Sequence, residues 1–376
     1  MKPAPRGSAT YRSAGVDYVS LDASKRQALS QALATSALLG AHGGVAVDES
    51  RGEPAFVFSL GDRTLAFVLE GLGTKSMIAT ALEAHHGVAG FDSVAYDTVA
   101  AIVNDLCCVG AQPLVVNAYF ATGSSDWYEN ADRQAALLSG WRRACEDAGA
   151  TWGGGESPSL PELVSNDHIE LAGSAVGMLP DGVSPILGQE LAAGDEIVFV
   201  ASTGLHANGA SLARLVAGQL AEGYATLLPS GRAYGEALLD SAPMYAPLVQ
   251  ALVAEGVPLH YLSHITGHGM LKLMRPKRPF TYEIDALPEV PEVLSFLSGQ
   301  ADMTAFAAYS TFNMGCGFAI YCARGSGQTV VDIAQGFDLK AHVAGGVEEG
   351  PRRVMLKEID VTYESSEMDL SPGRAA

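Results

Sequence analysis

The sequence has few basic residues, no long apolar run and no cysteine pattern typical of a metal site. Its 23 Lys and Arg stand against 42 Asp and Glu, which gives a formal charge of −19 at pH 7. Because non-specific binding to nucleic acid needs a basic surface, this composition argues against such binding, and we expect no nucleic-acid partner. An anionic substrate therefore has to be met by a local site, for example one in which metal ions screen the charge.

No stretch of eighteen apolar residues occurs, so we expect no membrane-spanning helix and no membrane partner. Residues 1–10 lack the apolar centre of a secretory signal, which favours a cytoplasmic protein. The cysteines show no metal-ligand spacing and lie in apolar or helical contexts, so we expect reduced core residues. They are Cys107, Cys108, Cys145, Cys316 and Cys322.

The length of 376 residues favours two domains over one core. Both halves alternate strands and helices with glycine-rich junctions, which predicts an α/β fold. Residues 180–194, rich in Pro, Gly and Asp, are the candidate linker. We expect an N-terminal domain over residues 1–182 and a C-terminal α/β domain over residues 183–376.

The most informative stretch is residues 65–75, where five apolar residues precede a carboxylate, two glycines, a hydroxyl and an ammonium. It predicts a strand buried on both faces, a tight loop and a helix. Gly71 and Gly73 let the backbone approach a ligand, and Lys75 at a helix start suits a phosphate. Glu70 could hold a divalent cation that bridges to that phosphate. A tight turn without a ligand is the alternative, since the spacing matches neither phosphate-binding fingerprint.

A helix over residues 93–109 is predicted to be buried nearly all round, because apolar residues cover most of its surface. Asp97, Asn104 and Asp105 interrupt this surface and share one side, with Asp97 and Asn104 within about 20° of each other. Buried carboxylates need partners. Structural salt bridges are one explanation, but basic residues are scarce nearby. A metal ion shared with Glu70 is the favoured hypothesis.

Two glycine-rich segments are further candidates. Gly43 and Gly44 follow a predicted helix over residues 23–39 and could cover phosphates, although a helix C-cap followed by a turn explains them equally well. The glycines before Glu156 repeat the arrangement of glycines ending in a carboxylate.

His206 and Asn208 lie in a loop between the predicted strand Glu196–Ala201 and a helix. A side chain in such a loop can reach a ligand. The alternative for a single loop histidine is a surface residue or one with only local hydrogen bonds.

Eight motifs occur in an order and spacing that resembles the phosphoribosylformylglycinamidine cyclo-ligase family, also called aminoimidazole ribonucleotide synthetases. No single motif is decisive, but eight in register are specific, and they cover residues 11–355. The motifs are residues 11–17, 71–75, 97–113, 154–156, 171–173, 204–209, 264–269 and 311–315.

The resemblance implies a fold in which the N-terminal sheet forms a barrel with its mate across a homodimer interface, and the C-terminal half is an α/β sandwich. It also implies ATP-dependent ring closure of formylglycinamidine ribonucleotide in purine biosynthesis. ATP phosphorylates the amide oxygen, an amidine-side nitrogen attacks the activated carbon, and phosphate leaves. Such phosphoryl transfer depends mostly on positioning and charge neutralisation.

The resemblance and the residue patterns together assign roles, with ATP and Mg²⁺ as the implied nucleotide and ion. The candidate catalytic residues are His206, Asn208, Lys75 and Glu156. The candidate Mg²⁺ ligands are Glu70, Asp97 and Asp105. The candidate ATP-binding residues are Gly43, Gly44, Gly71, Gly73, Thr74, Lys75, Asp97, Asn104, Gly154, Gly155, Thr266 and Gly267.

The sequence departs from the usual family pattern, which indicates a divergent member. Glu70 stands where the family generally has Asp, Ser159 replaces a carboxylate, and His268 replaces a glycine. The alternatives are another ATP-dependent enzyme of the superfamily, such as a thiamine-monophosphate kinase, or a catalytically silent nucleotide-binding paralogue. Selenophosphate synthetases need a reactive Cys or selenocysteine near the first glycine loop, and no cysteine precedes Cys107.

Overall fold

The computed structural model describes residues 18–87 and 89–368 and shows a mixed α/β protein with two β-sheets. The motif at residues 11–17 lies outside this range. None of the helices in the described part combines the length and apolar character needed to cross a membrane.

The described residues of the first half form a six-stranded sheet and four helices. Its strands are β1 (Gly44–Val47), β2 (Phe56–Leu60), β3 (Arg63–Gly71), β4 (Gln112–Thr122), β5 (Thr151–Glu156) and β6 (Ile169–Met178), and its helices are α1 (Tyr18–Leu33), α2 (Lys75–His86), α3 (Phe91–Cys107) and α4 (Ala131–Ala148). The strands lie in the order β1-β2-β3-β6-β4-β5. Neighbours run antiparallel except β4 and β5, which are parallel.

In the second half, the residues up to Met368 form a seven-stranded sheet and six helices. Its strands are β7 (Glu196–Ala201), β8 (Leu259–His264), β9 (Phe280–Ile284), β10 (Cys316–Cys322), β11 (Ala341–Glu349), β12 (Arg353–Leu356) and β13 (Val361–Glu364), and its helices are α5 (Ala210–Ala217), α6 (Tyr234–Leu238), α7 (Ala246–Ala254), α8 (Glu292–Gln300), α9 (Ala305–Tyr309) and α10 (Gly327–Gln335). The order is β13-β12-β9-β11-β7-β10-β8. Only β9 and β12 pair in parallel among these described strands.

Short 3₁₀ helices connect these elements. They are Ser36–His42, Asp48–Ser50, Ser125–Glu129, Gly223–Ala225, Gly269–Met274, Lys357–Ile359 and Ser365–Glu367.

The predicted boundary between residues 182 and 183 falls in the connection between the two sheets, because β6 ends at Met178 and β7 begins at Glu196. The limits of the two domains stay a prediction.

Strong periodicity predicted several elements well. The helix Ala131–Ala148 and the strand Ile169–Met178 have the expected bounds. The helix expected over residues 23–39 instead runs over Tyr18–Leu33, and a 3₁₀ turn follows it. The glycines at 153–155 lie within β5.

The helix α3 is buried nearly all round, as its composition predicts. Its polar residues Asp97, Thr98, Asn104 and Asp105 are buried together with the apolar ones. The helix lies against β3, β6 and α4. Its buried polar groups therefore have to find partners inside the protein.

The strand β3 is not buried on both faces, contrary to the expectation from its five apolar residues. Ala66 and Val68 point to the helices and are 0% and 3% exposed, whereas Phe67 and Leu69 are 42% and 69% exposed. Because side chains alternate along a strand, one face of the first sheet is uncovered in the single chain. We call this surface the open sheet face.

Candidate active site

Lys75 and Asp97 form a buried ion pair between α2 and α3. Both side chains are 0% exposed, and Lys75 Nζ donates a hydrogen bond to Asp97 Oδ2. Burial raises the pKa of Asp97, although the charge of Lys75 acts against this shift. The ammonium that was predicted to bind phosphate faces a carboxylate in this arrangement.

The polar side of α3 also holds a segment of the second half. Asp97 Oδ1 accepts a hydrogen bond from the backbone N–H of Ala242 at 2.7 Å. Asn104 accepts one from Tyr245 N at 2.8 Å and donates one to Pro243 O at 3.0 Å. The prediction that Asp97 and Asn104 share one side of the helix is confirmed. In the structure, the hydrogen bonds from this side of α3 connect the two halves.

Asp105 joins α3 to the end of β8. His264 Nδ1 lies 2.7 Å from Asp105 Oδ1. Burial alone acts to raise the pKa of Asp105, but the contact with His264 outweighs it and the pKa is lowered. Lys272 Nζ donates to His264 O at 3.2 Å and also to Thr266 Oγ1. These contacts lead from the first half to the loop that contains Thr266 and Gly267.

The structure does not bring Glu70, Asp97 and Asp105 together as the predicted Mg²⁺ site. Across residues 18–87 and 89–368, no group of three or more His, Cys, Asp or Glu side chains is placed to hold a metal ion. Asp97 pairs with Lys75 and Asp105 with His264, while the charge of Glu70 acts on Lys272. In the described structure the carboxylates of α3 therefore have protein partners that the sequence separates by 22 and 159 residues, and the metal-ligand set stays a prediction.

His206 presents an unpaired donor. Its backbone φ of 59° lies in the left-handed region, which is uncommon outside glycine. The N–H of Thr203 lies 3.3 Å from His206 Nε2, so Nε2 accepts and the neutral ring carries its proton on Nδ1. Within the described part of the chain, the buried Nδ1 has no hydrogen-bond partner.

The electrostatic environment keeps the His206 ring neutral. Burial, followed by the charges of His264 and Lys75, lowers the pKa of His206 well below 6.5. The ring therefore offers an N–H donor without a positive charge. His206, His264 and Lys75 lie close enough to influence one another, so the structure brings these predicted and unpredicted residues to one junction.

The loop before α2 is a tight turn, as predicted. Gly73 has a φ of +69°, which favours glycine, and Gly71 ends β3. Thr74 Oγ1 lies 2.9 Å from Ser211 Oγ in α5, so this loop also contacts the second half. Asn208 is half-buried in the loop before α5.

Two predicted ATP-binding segments lie far from each other in one chain. β1 and β5 are the outer strands of the first sheet. At about 4.8 Å per strand, they are roughly 24 Å apart. The residues concerned are Gly43 and Gly44 on one side, and Gly154, Gly155 and Glu156 on the other. In this chain the two segments therefore lie at opposite edges of the first sheet, and their role in ATP binding stays a prediction.

Backbone geometry explains two of these glycines. Gly43 is the left-handed C-cap of the turn Ser36–His42, with a φ of 70°. A Cβ on Gly155 would lie 2.2 Å from Ala118 O, so the close pairing of β5 with β4 requires glycine there. Glu156 is exposed at the end of β5.

Sequence reasoning missed His264 and Lys272. Lys272 is 6% exposed. Burial, followed by the positive charge of Arg275, lowers the pKa of Lys272 to about 8. A single charge within the apolar run Met270 to Met274 was the available signal, because a buried lysine needs acceptors. For His264, no local signal identified Asp105 as its partner.

Two family models match most of the chain. The model described as AIR synthase related protein, N-terminal domain, matches residues 52–179, and the one described as AIR synthase related protein, C-terminal domain, matches residues 192–357. The chain belongs to the AIR synthase related family. This AIR synthase related protein therefore has the two-domain architecture that the sequence motifs implied.

Curated relatives of this AIR synthase related protein carry the name phosphoribosylformylglycinamidine cyclo-ligase. One from Methanobrevibacter smithii is 30% identical over 320 residues, covering 84% of this chain and 88% of the relative. One from Carboxydothermus hydrogenoformans is 32% identical over 293 residues, covering 77% and 82%. The resemblance to the cyclo-ligase family is confirmed.

Solved structures with the same fold have low sequence identity. Phosphoribosylformylglycinamidine synthase II from Thermotoga maritima has a TM-score of 0.57 at 17% identity, covering 88% of this chain and 50% of that one. A thiamine-monophosphate kinase from Stenotrophomonas maltophilia has a TM-score of 0.55 at 18% identity, covering 81% and 90%. The hydrogenase maturation protein HypE in complex with ATP has a TM-score of 0.53 at 15% identity, covering 72% and 78%. These similarities support the fold alone.

Proposed function

We propose that this AIR synthase related protein is an ATP-dependent cyclo-ligase. It converts formylglycinamidine ribonucleotide to aminoimidazole ribonucleotide and releases ADP and phosphate. The cyclo-ligase relatives, which cover most of the chain, support this reaction class. The structural observation that carries the proposal is the buried, unpaired Nδ1 of His206 at the junction of the two halves.

A buried donor without a partner costs about 1–3 kcal/mol. A substrate oxygen that accepts from His206 Nδ1 would remove this cost, so the site is complete only with a ligand. The neutral ring can donate its Nδ1–H to a substrate oxygen on which negative charge develops. Asn208, two residues further along the same loop, supplies a second polar group to orient the substrate.

ATP is the proposed phosphoryl donor, in agreement with a structural neighbour that is titled as an ATP complex. Phosphorylation of the formyl amide oxygen turns it into a leaving group, and the amidine-side nitrogen then attacks the same carbon. Mg²⁺ is the proposed companion of the ATP phosphates. The loops at Thr74 and Thr266, both near the junction, are the proposed nucleotide contacts.

We also propose a homodimer built through the open sheet face. Phe67 pairs with Phe56 and Val176 across neighbouring strands, which aligns their side chains on this face. Leu69, two residues from Phe67 on the same face, is 69% exposed. Large exposed apolar surfaces usually mark interfaces. A second copy packed face to face would cover them.

The proposed setting is the cytoplasm, with small molecules as the other partners. The five cysteines are free and buried, which fits a reducing compartment. The formal charge of −19 gives no basis for nucleic-acid binding.

A panel of acceptors tests the reaction class. Purified protein with ATP and Mg²⁺ should release ADP when formylglycinamidine ribonucleotide is present, and not with thiamine monophosphate. ADP release with thiamine monophosphate alone would indicate a kinase of the same fold instead.

A further inference from the structure

A cavity of about 760 Å³ lies between the two halves, and none of the residues described as lining it is a predicted site residue. Residues 47–53 of the first half form one wall, and residues 275–278 of the second half form another. Residues 184–189 of the connection between the sheets complete it. A volume of this size suits a ligand as large as a nucleotide.

The cavity is a local cationic region in an acidic protein. Five cationic side chains and three carboxylates line it, whereas the whole chain carries a formal charge of −19. Such a local excess of positive charge raises the affinity for anions. The cations are Arg51, Arg275, Lys277, Arg278 and Arg352, and the carboxylates are Asp48, Glu49 and Glu53.

Three of the cations are held by the protein itself. Arg51 lies 3.7 Å from Asp48 and donates to Ser36 Oγ at 3.0 Å. Arg352 Nε donates to Met274 O at 2.7 Å. Arg278 donates to backbone carbonyls in the segment 188–191, including that of Gln189 at 3.2 Å. These contacts shape the walls of the cavity.

Arg275 and Lys277 are the other two cations of the cavity. Within the described part of the chain, the buried Nε of Arg275 has no hydrogen-bond partner, and the same holds for Arg51 Nε, although Arg51 has Ser36 and Asp48 beside it. Glu53, the carboxylate whose charge acts on Arg275, already accepts a hydrogen bond from Tyr261 at 2.7 Å. Lys277 lines the same cavity and is exposed. An anion placed here would give Arg275 Nε an acceptor.

We propose that this cavity binds a phosphate monoester on a ribose, with Arg275 and Lys277 as its principal cations. The planar guanidinium pairs well with two phosphate oxygens, and the lysine adds a second charge. The phosphate has two sources: the ribose phosphate of the substrate, or a separate ribonucleotide. Only the first source rests on the proposed cyclo-ligase function.

Calorimetric titration with ribose 5-phosphate, and with ribose as its phosphate-free counterpart, tests the site without turnover. The variants are Lys277→Gln and Arg275→Gln, and Lys340→Gln is the control because it removes an exposed lysine outside the cavity. We expect wild type and control to bind ribose 5-phosphate, each cavity variant to bind it about tenfold or more weakly, and ribose not to bind.

Absence of ribose 5-phosphate binding by the wild type would overturn the proposal, as would equal binding by Lys277→Gln, which changes an exposed residue and should fold normally. Thermal unfolding of Arg275→Gln shows whether that variant is folded as stably as the wild type, so that their binding can be compared. These results do not depend on whether the protein closes an imidazole ring.

Steady-state kinetics with formylglycinamidine ribonucleotide distinguish the two sources. If the cavity holds the substrate phosphate, Lys277→Gln raises KM by about the same factor as it weakens the binding of ribose 5-phosphate, and kcat is nearly unchanged. If it holds a separate ribonucleotide, KM is unchanged and ribose 5-phosphate does not compete with the substrate.

Discussion

Asp105 Oδ1 and His264 Nδ1 lie 2.7 Å apart, and this contact joins a buried helix of the first half to a strand of the second. Asp97 and Asn104 make further hydrogen bonds from the same helix to the second half. Polar groups that interrupt the apolar surface of α3 therefore fix the relative position of the two halves. The loops of His206 and Thr266 depend on that position.

The Lys75–Asp97 pair is expected to stabilise the protein strongly. Lys75→Met leaves the buried Asp97 without its cationic partner, and we expect a loss of about 3–5 kcal/mol in the free energy of unfolding. Removal of both charges in Lys75→Met/Asp97→Leu should recover part of the loss. Urea denaturation measures both variants. Unchanged stability of Lys75→Met would contradict the structural role and favour a phosphate-binding one.

The Asp105–His264 contact should tolerate an amide better than a methyl group. Asp105→Ala leaves a buried imidazole nitrogen unpaired, with an expected loss of about 1–3 kcal/mol. Asp105→Asn keeps an oxygen acceptor and should lose less. Asp62→Ala, at an exposed carboxylate, serves as the control in the same denaturation series. Equal effects of Ala and Asn would argue against a specific hydrogen bond.

Because His206 is buried as a neutral ring, we expect the free energy of unfolding to depend on pH. Its pKa is well below 6.5 in the folded protein, so the unfolded chain binds an extra proton as the pH falls below about 6.5. The wild type should therefore lose up to about 1.4 kcal/mol per pH unit in that range relative to His206→Gln. Unfolding curves between pH 7.5 and about 5.5 measure this difference. The exposed His86→Gln should keep the wild-type slope, and a slope unchanged in His206→Gln would refute a buried neutral ring.

If the open sheet face is the dimer interface, a charge introduced on it should dissociate the dimer. Leu69→Glu places a carboxylate on this face and should convert a dimer to a monomer, because a buried unpaired charge is costly. Leu163→Glu makes the same change at a side chain that is 79% exposed and lies outside the sheet. Light scattering after size exclusion gives the mass of each. A monomeric wild type, or a dimeric Leu69→Glu, would contradict the proposed interface.

The periodicity of apolar residues predicted helices and strands well where their apolar side chains are buried by the same chain. The helix Ala131–Ala148 and the strand Ile169–Met178 are amphipathic or bounded by turn residues, so their limits are local properties. The apolar run in β3 was read as buried on both faces because sequence does not distinguish burial by the same chain from exposure on a sheet. Phe67 and Leu69 show the difference.

The sequence indicated which buried polar residues of α3 need partners, but it did not indicate which residues those partners are. The pattern of α3 correctly indicated that Asp97 and Asp105 need partners, but those partners come from residues 22 and 159 positions away. Such pairs are set by the packing of whole elements. A metal ion was the simpler hypothesis from local sequence, and it stays a prediction for this set of carboxylates. The His206 loop, by contrast, was identified from its position between a strand and a helix.

The most direct test of the account is one reaction in which ADP and the aromatic aminoimidazole product are both quantified, starting from formylglycinamidine ribonucleotide, ATP and Mg²⁺. We predict equal molar amounts of the two products, and a marked loss of both in His206→Ala. ADP without the imidazole would indicate a different acceptor. Binding of ATP without either product would contradict the cyclo-ligase assignment and identify a silent paralogue.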